Sequence, residues 1–231
     1  AAAAITETTS KVDITLKRAA VVMTLSRQAL IQATPELDAA LTRHLTAACF
    51  ELLEYGAING DGTSDSPVGI RNTAGIGAVV GGVNGAQIDV THLADLEKAP
   101  DVGNVAVVPE RAGYLVNAAT KRWLRTKAAG TNLGYLWQGG DRPLLGHRAA
   151  VSNNLPSNLA KGGSGTVCSS LIYSADWSHL ALGIFGGGID VTVDRVTLAS
   201  SGQLRIVAAL HAGVGVLLPA AFAKMDDGLT A

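Results

Sequence analysis

The longest predicted helix of the chain is apolar on more than one side, and this feature constrains the fold most. Thr34 is a good N-cap residue, and Pro35 follows at the first helical position, where proline is tolerated. From Pro35 to Tyr55, leucines and alanines recur at spacings of three and four and mark one apolar face. Further alanines and Phe50 make much of the remaining helix surface apolar too. A helix about 30 Å long with so little charge must be covered by other protein on several sides.

The composition also indicates that protein partners cover part of the surface. Charged residues make up only 16% of the chain, where about 25% is usual. Hydrophobic residues make up 48% of the 231 residues, which excludes a disordered chain. The net charge of -1 gives no overall attraction to nucleic acid or to an anionic membrane. Cys49 and Cys168 are too few for a disulfide framework, so we expect a reducing compartment.

Strand patterns on both sides of this helix predict an α+β fold. Residues 13–25 carry alternating and then continuous apolar side chains, which predicts a strand. The preceding residues 5–11 are rich in Thr, Glu and Ser and suit an exposed arm. The tail, 189–222, reads almost entirely as strand with a turn at 200–202, and the glycines and proline within 206–223 argue against a membrane helix there. We expect the first and last strands to pair around the long helix.

The middle of the chain is predicted to alternate short helices with short strands. Thr91 is expected to cap a helix over 92–99 that Pro100 ends, and a second helix is expected over 110–129. The predicted short strands are 105–108, 144–145, 149–151 and 171–173.

Motifs that would carry catalysis, cofactor binding or metal binding are incomplete. Residues 75–81 resemble a dinucleotide loop, but the third glycine is one place late and no strand-to-helix unit surrounds it. Residues 61–67 resemble a calcium loop, but Ser66 and Asn72 replace its required glycine and glutamate. The histidines are scattered singly, and we interpret His44 as a packed or interface residue. The sequence therefore predicts no enzyme, no cofactor and no metal; a small cytosolic enzyme or ligand-binding domain stays as an alternative.

One cluster of basic residues, Lys121, Arg122, Arg125 and Lys127, falls in the last turns of a predicted helix. Cations at that end complement the helix dipole. The cluster is therefore either a solvated helix end or a patch that contacts phosphate.

Several non-catalytic segments are informative because they occur together in a consistent order. The segments are NGDGTS at 59–64, SPVGI at 66–70, YLVNAAT at 114–120, LLGH at 144–147, VSNNLP at 151–156, LIYSADWS at 171–178 and AGVGVLLPAAF at 212–222. This set, which spans about 58–222, resembles the major capsid protein family of tailed double-stranded DNA bacteriophages.

The resemblance implies the capsid fold named for phage Hong Kong ninety-seven. Residues 1–18 would belong to an extended loop (the E-loop) that lies over a neighbouring subunit. Residues 19–66 would form a peripheral domain with a spine helix at 35–55. Residues 67–185 would form a mixed α/β axial domain, and 186–231 would return to the peripheral domain as long strands.

The resemblance also implies a structural protein that assembles through pentamers and hexamers into an icosahedral head around double-stranded DNA, in the bacterial cytoplasm of the host. Weak contact of the inner surface with DNA, and scaffold, portal or decoration proteins as further partners, would be expected, and no membrane partner. An encapsulin-type nanocompartment shell is the alternative within the same fold. The expected subunit-contact residues are Glu7, Lys11, Arg18, His44, Lys121, Arg122 and Arg125.

Some members of this family join their subunits by a Lys–Asn isopeptide bond that a Glu assists. Lys11 could provide the lysine of such a bond. Residues 189–224, where the partner Asn and Glu would be expected, contain neither residue type. The sequence therefore predicts no covalent cross-links between subunits.

Overall fold

A computed structural model describes residues 11–32, 35–63, 65–130, 134–138, 143–165 and 167–230, and it has the expected α+β class. The helices are α1 (Arg27–Ile31), α2 (Pro35–Asn59), α3 (Val90–Val102) and α4 (Ala118–Thr126). The strands are β1 (Lys17–Ser26), β2 (Gly77–Ala78), β3 (Ala86–Gln87), β4 (Gly113–Val116), β5 (Arg148–Val151), β6 (Cys168–Ser174), β7 (Leu180–Asp194), β8 (Gln203–Val216) and β9 (Phe222–Leu229).

A six-stranded sheet forms the most deeply buried part of the molecule. Its order is β2-β9-β6-β4-β5, and β3 also pairs with β9. Every residue of β6 is buried, as expected for a central strand covered on both faces. Leu93 and Leu96 of α3 and Leu124 of α4 are buried in the same cluster as Tyr114 and Tyr173 of this sheet.

A second, three-stranded antiparallel sheet has the order β1-β8-β7 and carries α2 on one face. Leu45 and Cys49 of α2 are buried against Ala208, Leu210 and Ala212 of β8. The burial of β1 alternates from residue to residue, which is the pattern of a strand with one face packed and one face open.

A third cluster and a polar network connect the two sheets. Ile58 at the end of α2 and Val216 at the end of β8 pack with Ile172 and Phe222 of the six-stranded sheet. Arg71 donates from Nη1 to Asn59 of α2 and from Nε to Asp226 of β9, both at 2.9 Å. The end of α2 is therefore fixed to the six-stranded sheet.

The chain ends are arranged differently from the expectation. The first strand, β1, pairs with β8 and not with the last strand. The last strand, β9, pairs with β6 in the six-stranded sheet, so the expected pairing of the first and last strands is wrong. The physical reason is burial: Phe222 and Met225 complete the cores of the six-stranded sheet. The long hairpin also starts earlier than 186, at Leu180.

The middle of the chain also differs from the prediction in several boundaries. The predicted helix over 110–129 is confirmed over α4 and wrong before it: β4 occupies its first part, and α4 begins after Asn117, whose side chain accepts from the N–H of Thr120. The segment 105–108 is not a strand, and 144–145 forms only a bridge between Leu144 and His147. The strands predicted at 149–151 and 171–173 are confirmed inside β5 and β6.

Helix boundaries were predicted with varying success. The long helix is confirmed and continues beyond Tyr55 to Asn59, whereas its predicted cap, Thr34, lies outside the described residues. The actual cap of α3 is Asp89, not Thr91, because its carboxylate accepts from the N–H groups at 91 and 92. Pro100 does not end α3 but lies inside its last turn.

Candidate self-association surfaces

A groove with apolar walls runs between α2 and β1. Leu52 and Tyr55 on α2 are 42% and 54% exposed. Together with Glu51, Asn154 and the β1 residues 20–22, they line a groove of about 510 Å³. Large apolar side chains exposed side by side are unusual on a monomer and are typical of protein–protein contact sites.

A second apolar surface lies at the opposite edge of the same sheet. Val191 and Val193 of β7 pair with Ala208 and Ile206, and both partners pack beneath α2. The side chains of paired residues on neighbouring antiparallel strands point to the same face, so the side chains of Val191 and Val193 are on the helix side of the sheet. Because α2 lies mainly over β1 and β8, four apolar residues on the helix side of β7 stay about half-exposed; they are Leu182, Ile184, Val191 and Val193.

The groove beside β1 and the apolar surface of β7 have different shapes and different side chains. One is a helix–strand groove beside β1, and the other is a strip of aliphatic side chains on β7. Phe50, which is 48% exposed, lies about 160° from Leu52 around α2 and therefore on the flank opposite the groove. β1 and β7 are the two edge strands of this sheet among the described residues. Two unlike surfaces on opposite sides of one molecule suit a head-to-tail contact, which closes into a ring when the rotation allows.

The segment before β1 crosses the other face of the sheet over a pair of glycines. Gly213 and Gly215 of β8 lie on the face away from α2, and a Cβ added at Gly213 would stand 2.5 Å from Cγ2 of Ile14. At Gly215 the corresponding distance to Cγ1 of Ile14 is 2.8 Å. Only glycine leaves room for Ile14 to lie directly on the backbone. The arm is thus supported by β8 at its base.

The arm residues predicted to contact other subunits lie on this crossing or before it. Glu7 lies outside the described residues. Lys11 is exposed, and its ammonium group is 2.7 Å from the carboxylate of Asp13. Arg18 is exposed on β1, opposite His211 of β8 and therefore on the face away from α2.

The other predicted contact residues fall on two different helices. His44 is exposed on α2, away from the arm. Lys121, Arg122 and Arg125 lie on α4, where Lys121 is half-buried and the other two are exposed. The structure therefore brings the α4 residues together but leaves Arg18 and His44 on separate elements.

The cations of α4 are supported by tryptophan rings. The guanidinium carbon of Arg125 lies 5.7 Å from the ring centre of Trp137, and Nζ of Lys127 lies 5.2 Å from that of Trp123. The indole N–H of Trp123 donates to the carbonyl of Ile88 at 2.9 Å, which fixes this ring. Cation–π contacts of this kind hold long basic side chains in defined positions.

The segments that resemble known ligand loops have structural contacts. Within 75–81, Gly77 and Ala78 form β2, and the N–H of Gly81 donates to the carboxylate of Asp227 at 3.0 Å. In 61–67, Oδ1 of Asp61 accepts from the N–H and the hydroxyl of Thr63, and these bonds lower the pKa of Asp61. Both segments therefore act as turns that connect elements of the fold.

A buried group of titratable side chains lies inside the six-stranded core. The hydroxyl of Tyr114 donates to Glu97 at 2.6 Å, and Nε2 of His147 lies 3.7 Å from the same carboxylate oxygen. Burial raises the pKa of Tyr114, and burial with the nearby charge of Glu97 raises the pKa of Tyr173 to about 12. The rings of Tyr114, Tyr173 and His147 contact one another at 4.8–6.5 Å. Tyr114 and Tyr173 belong to the core cluster, and residue 114 also borders a cavity of about 410 Å³.

Among the described residues, no group of three or more His, Cys, Asp or Glu side chains is placed so that it could hold a metal ion. No described helix has the length and apolar character that crossing a membrane requires.

The apolar surface residues were missed by reasoning from the sequence, which selected charged side chains instead. Val22, Phe50 and Tyr55 were assigned to a strand or an over-apolar helix without a decision about which of them stay exposed. The available signal was the excess of apolar residues over what one helix face can bury.

Comparison with known proteins places the chain in a family. Residues 1–227 match the model of the family described as "Phage capsid family". No curated protein matches the sequence.

Solved structures of capsids have the same fold. The capsid of an empty GTA particle aligns with a TM-score of 0.71 and 17% identity, over 98% of this chain and 78% of that one. Gordonia phage Cozz gives a TM-score of 0.67 with 16% identity, over 98% and 77% of the two chains. A virus-like particle from Pyrococcus furiosus gives 0.54 with 15% identity, over 92% and 75%. With the family match over nearly its whole length, the chain belongs to the phage capsid family: it is a structural protein of a capsid shell, with the fold named for phage Hong Kong ninety-seven.

Proposed function

We propose that copies of this chain assemble through pentamers and hexamers into an icosahedral phage head that encloses double-stranded DNA. The observation that carries the proposal is the pair of unlike apolar surfaces on either side of α2, the groove beside β1 and the strip along β7. A structural protein of a shell needs such surfaces, because each copy must contact different neighbours on different sides.

Burial of these surfaces would provide the driving force for assembly. Each 100 Å² of apolar area removed from water contributes about 2.5 kcal/mol before the costs of association are subtracted. The exposed side chains of Leu52, Phe50 and Tyr55 would supply apolar area for burial in a neighbour. Because each copy makes several such contacts, weak individual interfaces add up to a stable wall.

The arm supports a second kind of contact. Residues 11–16 leave the body over the face of the three-stranded sheet that α2 does not cover, with Ile14 seated on Gly213. We propose that the residues before this crossing belong to the E-loop and reach over a neighbouring subunit. The peripheral domain would comprise α2 with the three-stranded sheet, and the axial domain would comprise the six-stranded sheet, including β9.

The role is mechanical, and we propose no catalytic activity, cofactor or membrane partner. Assembly would take place in the cytoplasm of the bacterial host, with scaffold, portal or decoration proteins as further partners. DNA would be held inside the shell by weak contacts, since the chain has a net charge of only -1.

A charge placed in the groove tests the proposal. Tyr55→Glu adds a carboxylate at a groove position that is 54% exposed in the free chain, so folding should be unaffected while burial in a neighbour becomes costly. Val102→Glu is the matched control, because Val102 is 71% exposed and lies outside both apolar surfaces.

Electron microscopy and sedimentation of the three proteins give the readout. We expect closed particles for the wild type and for the Val102 control, and only capsomers or single chains for Tyr55→Glu. Particles of normal yield from Tyr55→Glu would contradict the use of the groove, and a wild type that stays monomeric under assembly conditions would contradict the function.

A nanocompartment shell that encloses protein cargo is the second candidate. The observation in its favour is the likeness to the virus-like particle from Pyrococcus furiosus. The nucleic acid content of purified particles separates the two functions. Packaged double-stranded DNA supports the phage head, and particles that contain a protein cargo without nucleic acid support the compartment.

A further inference from the structure

One stretch of the sequence contains basic residues but no acidic ones. Residues 111–140 contain no Asp or Glu, although the whole chain has 19 acidic and 18 basic residues. The basic residues of this stretch are Arg111, Lys121, Arg122, Arg125 and Lys127. We call the last four the α4 patch; they lie on and just after α4. Such a separation gives a nearly neutral chain one locally positive surface.

The α4 patch has no acidic partner within the described part of the chain. None of the seven ion pairs there includes a residue of the patch. Lys127 instead contacts the amide oxygen of Gln87 at 3.3 Å, and the rings of Trp123 and Trp137 support Lys127 and Arg125. The charges are thus held in place but not neutralised.

Carboxylates of a second copy are a poor match for this patch. In the described residues, several acidic side chains already have a contact within the chain. Asp13 pairs with Lys11, Glu54 accepts from Ser152, and Asp61 accepts from Thr63. The exposed carboxylates without such a contact are spread over separate parts of the fold: Glu51 on α2, Asp65, Asp95 and Asp101 on α3, Glu110, and Asp190 on β7. The four cations of the patch, in contrast, lie within seven consecutive residues.

A nucleic acid backbone does offer that density. Double-stranded DNA carries one negative charge for about every 1.7 Å of its axis, and α4 is about 14 Å long. Lys121, Arg122 and Arg125 fall within about 100° of one another around the helix, so one backbone can reach all three. Arginine and lysine at fixed positions contact phosphate oxygens without reading the base sequence.

We propose that the α4 patch binds the phosphate backbone of double-stranded DNA and therefore lines the inside of the shell. The inference rests on the proposed phage head and names the residues that touch its cargo. A contact through a few cations would hold DNA against the wall. Because salt strongly weakens such a contact, it would still permit the release of DNA.

The test compares two triple variants of the full chain in unassembled form. Lys121→Gln, Arg122→Gln and Arg125→Gln together remove the exposed and half-buried cations of α4. Arg43→Gln, Lys98→Gln and Arg195→Gln together remove the same charge from exposed positions elsewhere. Binding of a short fluorescent DNA duplex is measured by anisotropy at several salt concentrations, and thermal unfolding confirms that both variants fold.

We expect the α4 variant to bind at least tenfold more weakly at low salt. The slope of log affinity against log salt should fall by about 2.7, at about 0.9 for each lost phosphate contact. The control variant should keep the wild-type slope. Wild-type affinity in the α4 variant, or an equal loss in the control, would overturn the inference.

Two further measurements separate this inference from its rivals. Polyglutamate of matched charge should displace the duplex poorly; equal displacement would point to an acidic protein segment as the ligand and overturn the inference. Closed wild-type particles should not bind added duplex, and binding there would place the patch outside. If the α4 variant loses assembly while its affinity for DNA is unchanged, the patch is a subunit contact. Normal particles with unchanged DNA affinity refute this inference and leave the proposed function standing.

Discussion

The two sheets of this molecule use similar side chains for opposite purposes. In the six-stranded sheet, Phe222 is fully buried, and every residue of β6 is covered by elements of the same chain. In the three-stranded unit, Phe50 is 48% exposed, and the apolar residues of β7 are about half-exposed. The first region completes its core within one chain. The second leaves apolar surface open, and in a shell that surface would be covered by neighbouring copies.

The largest expected effect separates folding from assembly with the same substitution in both regions. Phe222→Ala should lower the free energy of unfolding by about 3–5 kcal/mol, because it leaves a cavity in a closed core. Phe50→Ala should change it by less than about 1 kcal/mol but should reduce the yield of particles. Urea unfolding of unassembled chains and sedimentation of assembled ones measure the two quantities. Equal destabilisation by both changes would contradict the comparison.

A smaller effect is expected where the arm lies on the three-stranded sheet. Gly213→Ala places a methyl group 2.5 Å from Cγ2 of Ile14 and 2.6 Å from the carbonyl oxygen of Thr15, so the arm must lift. We expect a loss of about 1–3 kcal/mol and faster hydrogen exchange over 11–16. Gly183, which pairs with Gly213, is the control, because its nearest neighbour would be 3.5 Å away. An arm that stays protected in Gly213→Ala would show that it does not rest on this glycine.

The stabilisation that the polar contacts between the two sheets provide should be lost in acid. Burial opposes ionisation of Asp226, but hydrogen bonds from Arg71 and Ser170 outweigh it and lower its pKa. The stabilisation is therefore complete above the ordinary pKa of Asp, about 3.9, and is lost as pH falls through the lowered value. Urea midpoints measured from neutral to acidic pH should fall less steeply in Asp226→Asn than in the wild type. Asp95→Asn, at an exposed position, should keep the wild-type dependence; an unchanged slope in Asp226→Asn would contradict the assignment.

The smallest effect is expected at the exposed base of the arm. Lys11 and Asp13 form an ion pair with side chains 83% and 70% exposed, and such pairs contribute little. Lys11→Ala should change the free energy of unfolding by less than about 0.5 kcal/mol. Assembled wild-type particles and Lys11→Ala particles should both dissociate to single chains in boiling SDS. A ladder of multimers in the wild type that Lys11→Ala abolishes would contradict the prediction that no cross-links form.

The sequence determines the elements of this fold better than it determines their partners. The leucine spacing of α2 and the apolar alternation of β8 are local patterns, and both elements are where they were predicted. The error over 110–129 arose because the residues of β4 also suit a helix, and only the side-chain cap of Asn117 separates strand from helix. The sheet that β9 joins depends on contacts distant in sequence, which periodicity does not report.

The candidate surfaces show the same limit. The sequence showed that α2 is so apolar that it must be covered on more than one side. The spacing of its apolar residues does not show which flank of the helix is covered within the chain and which stays exposed. Leu45 and Phe50 differ in burial because the sheet lies under only one of them. Charged candidates such as Arg18 and His44 stand out in a sequence, whereas interface cores are depleted of charge. The role of all the predicted contact residues stays a prediction.

Electron microscopy of the purified chain under assembly conditions, together with the nucleic acid content of the particles, tests the central claim most directly. The account predicts closed, hollow particles with five-fold and six-fold capsomers, in which the groove beside β1 and the strip along β7 are both covered by neighbouring copies. Single chains or small closed oligomers that leave both surfaces exposed to solvent would contradict it.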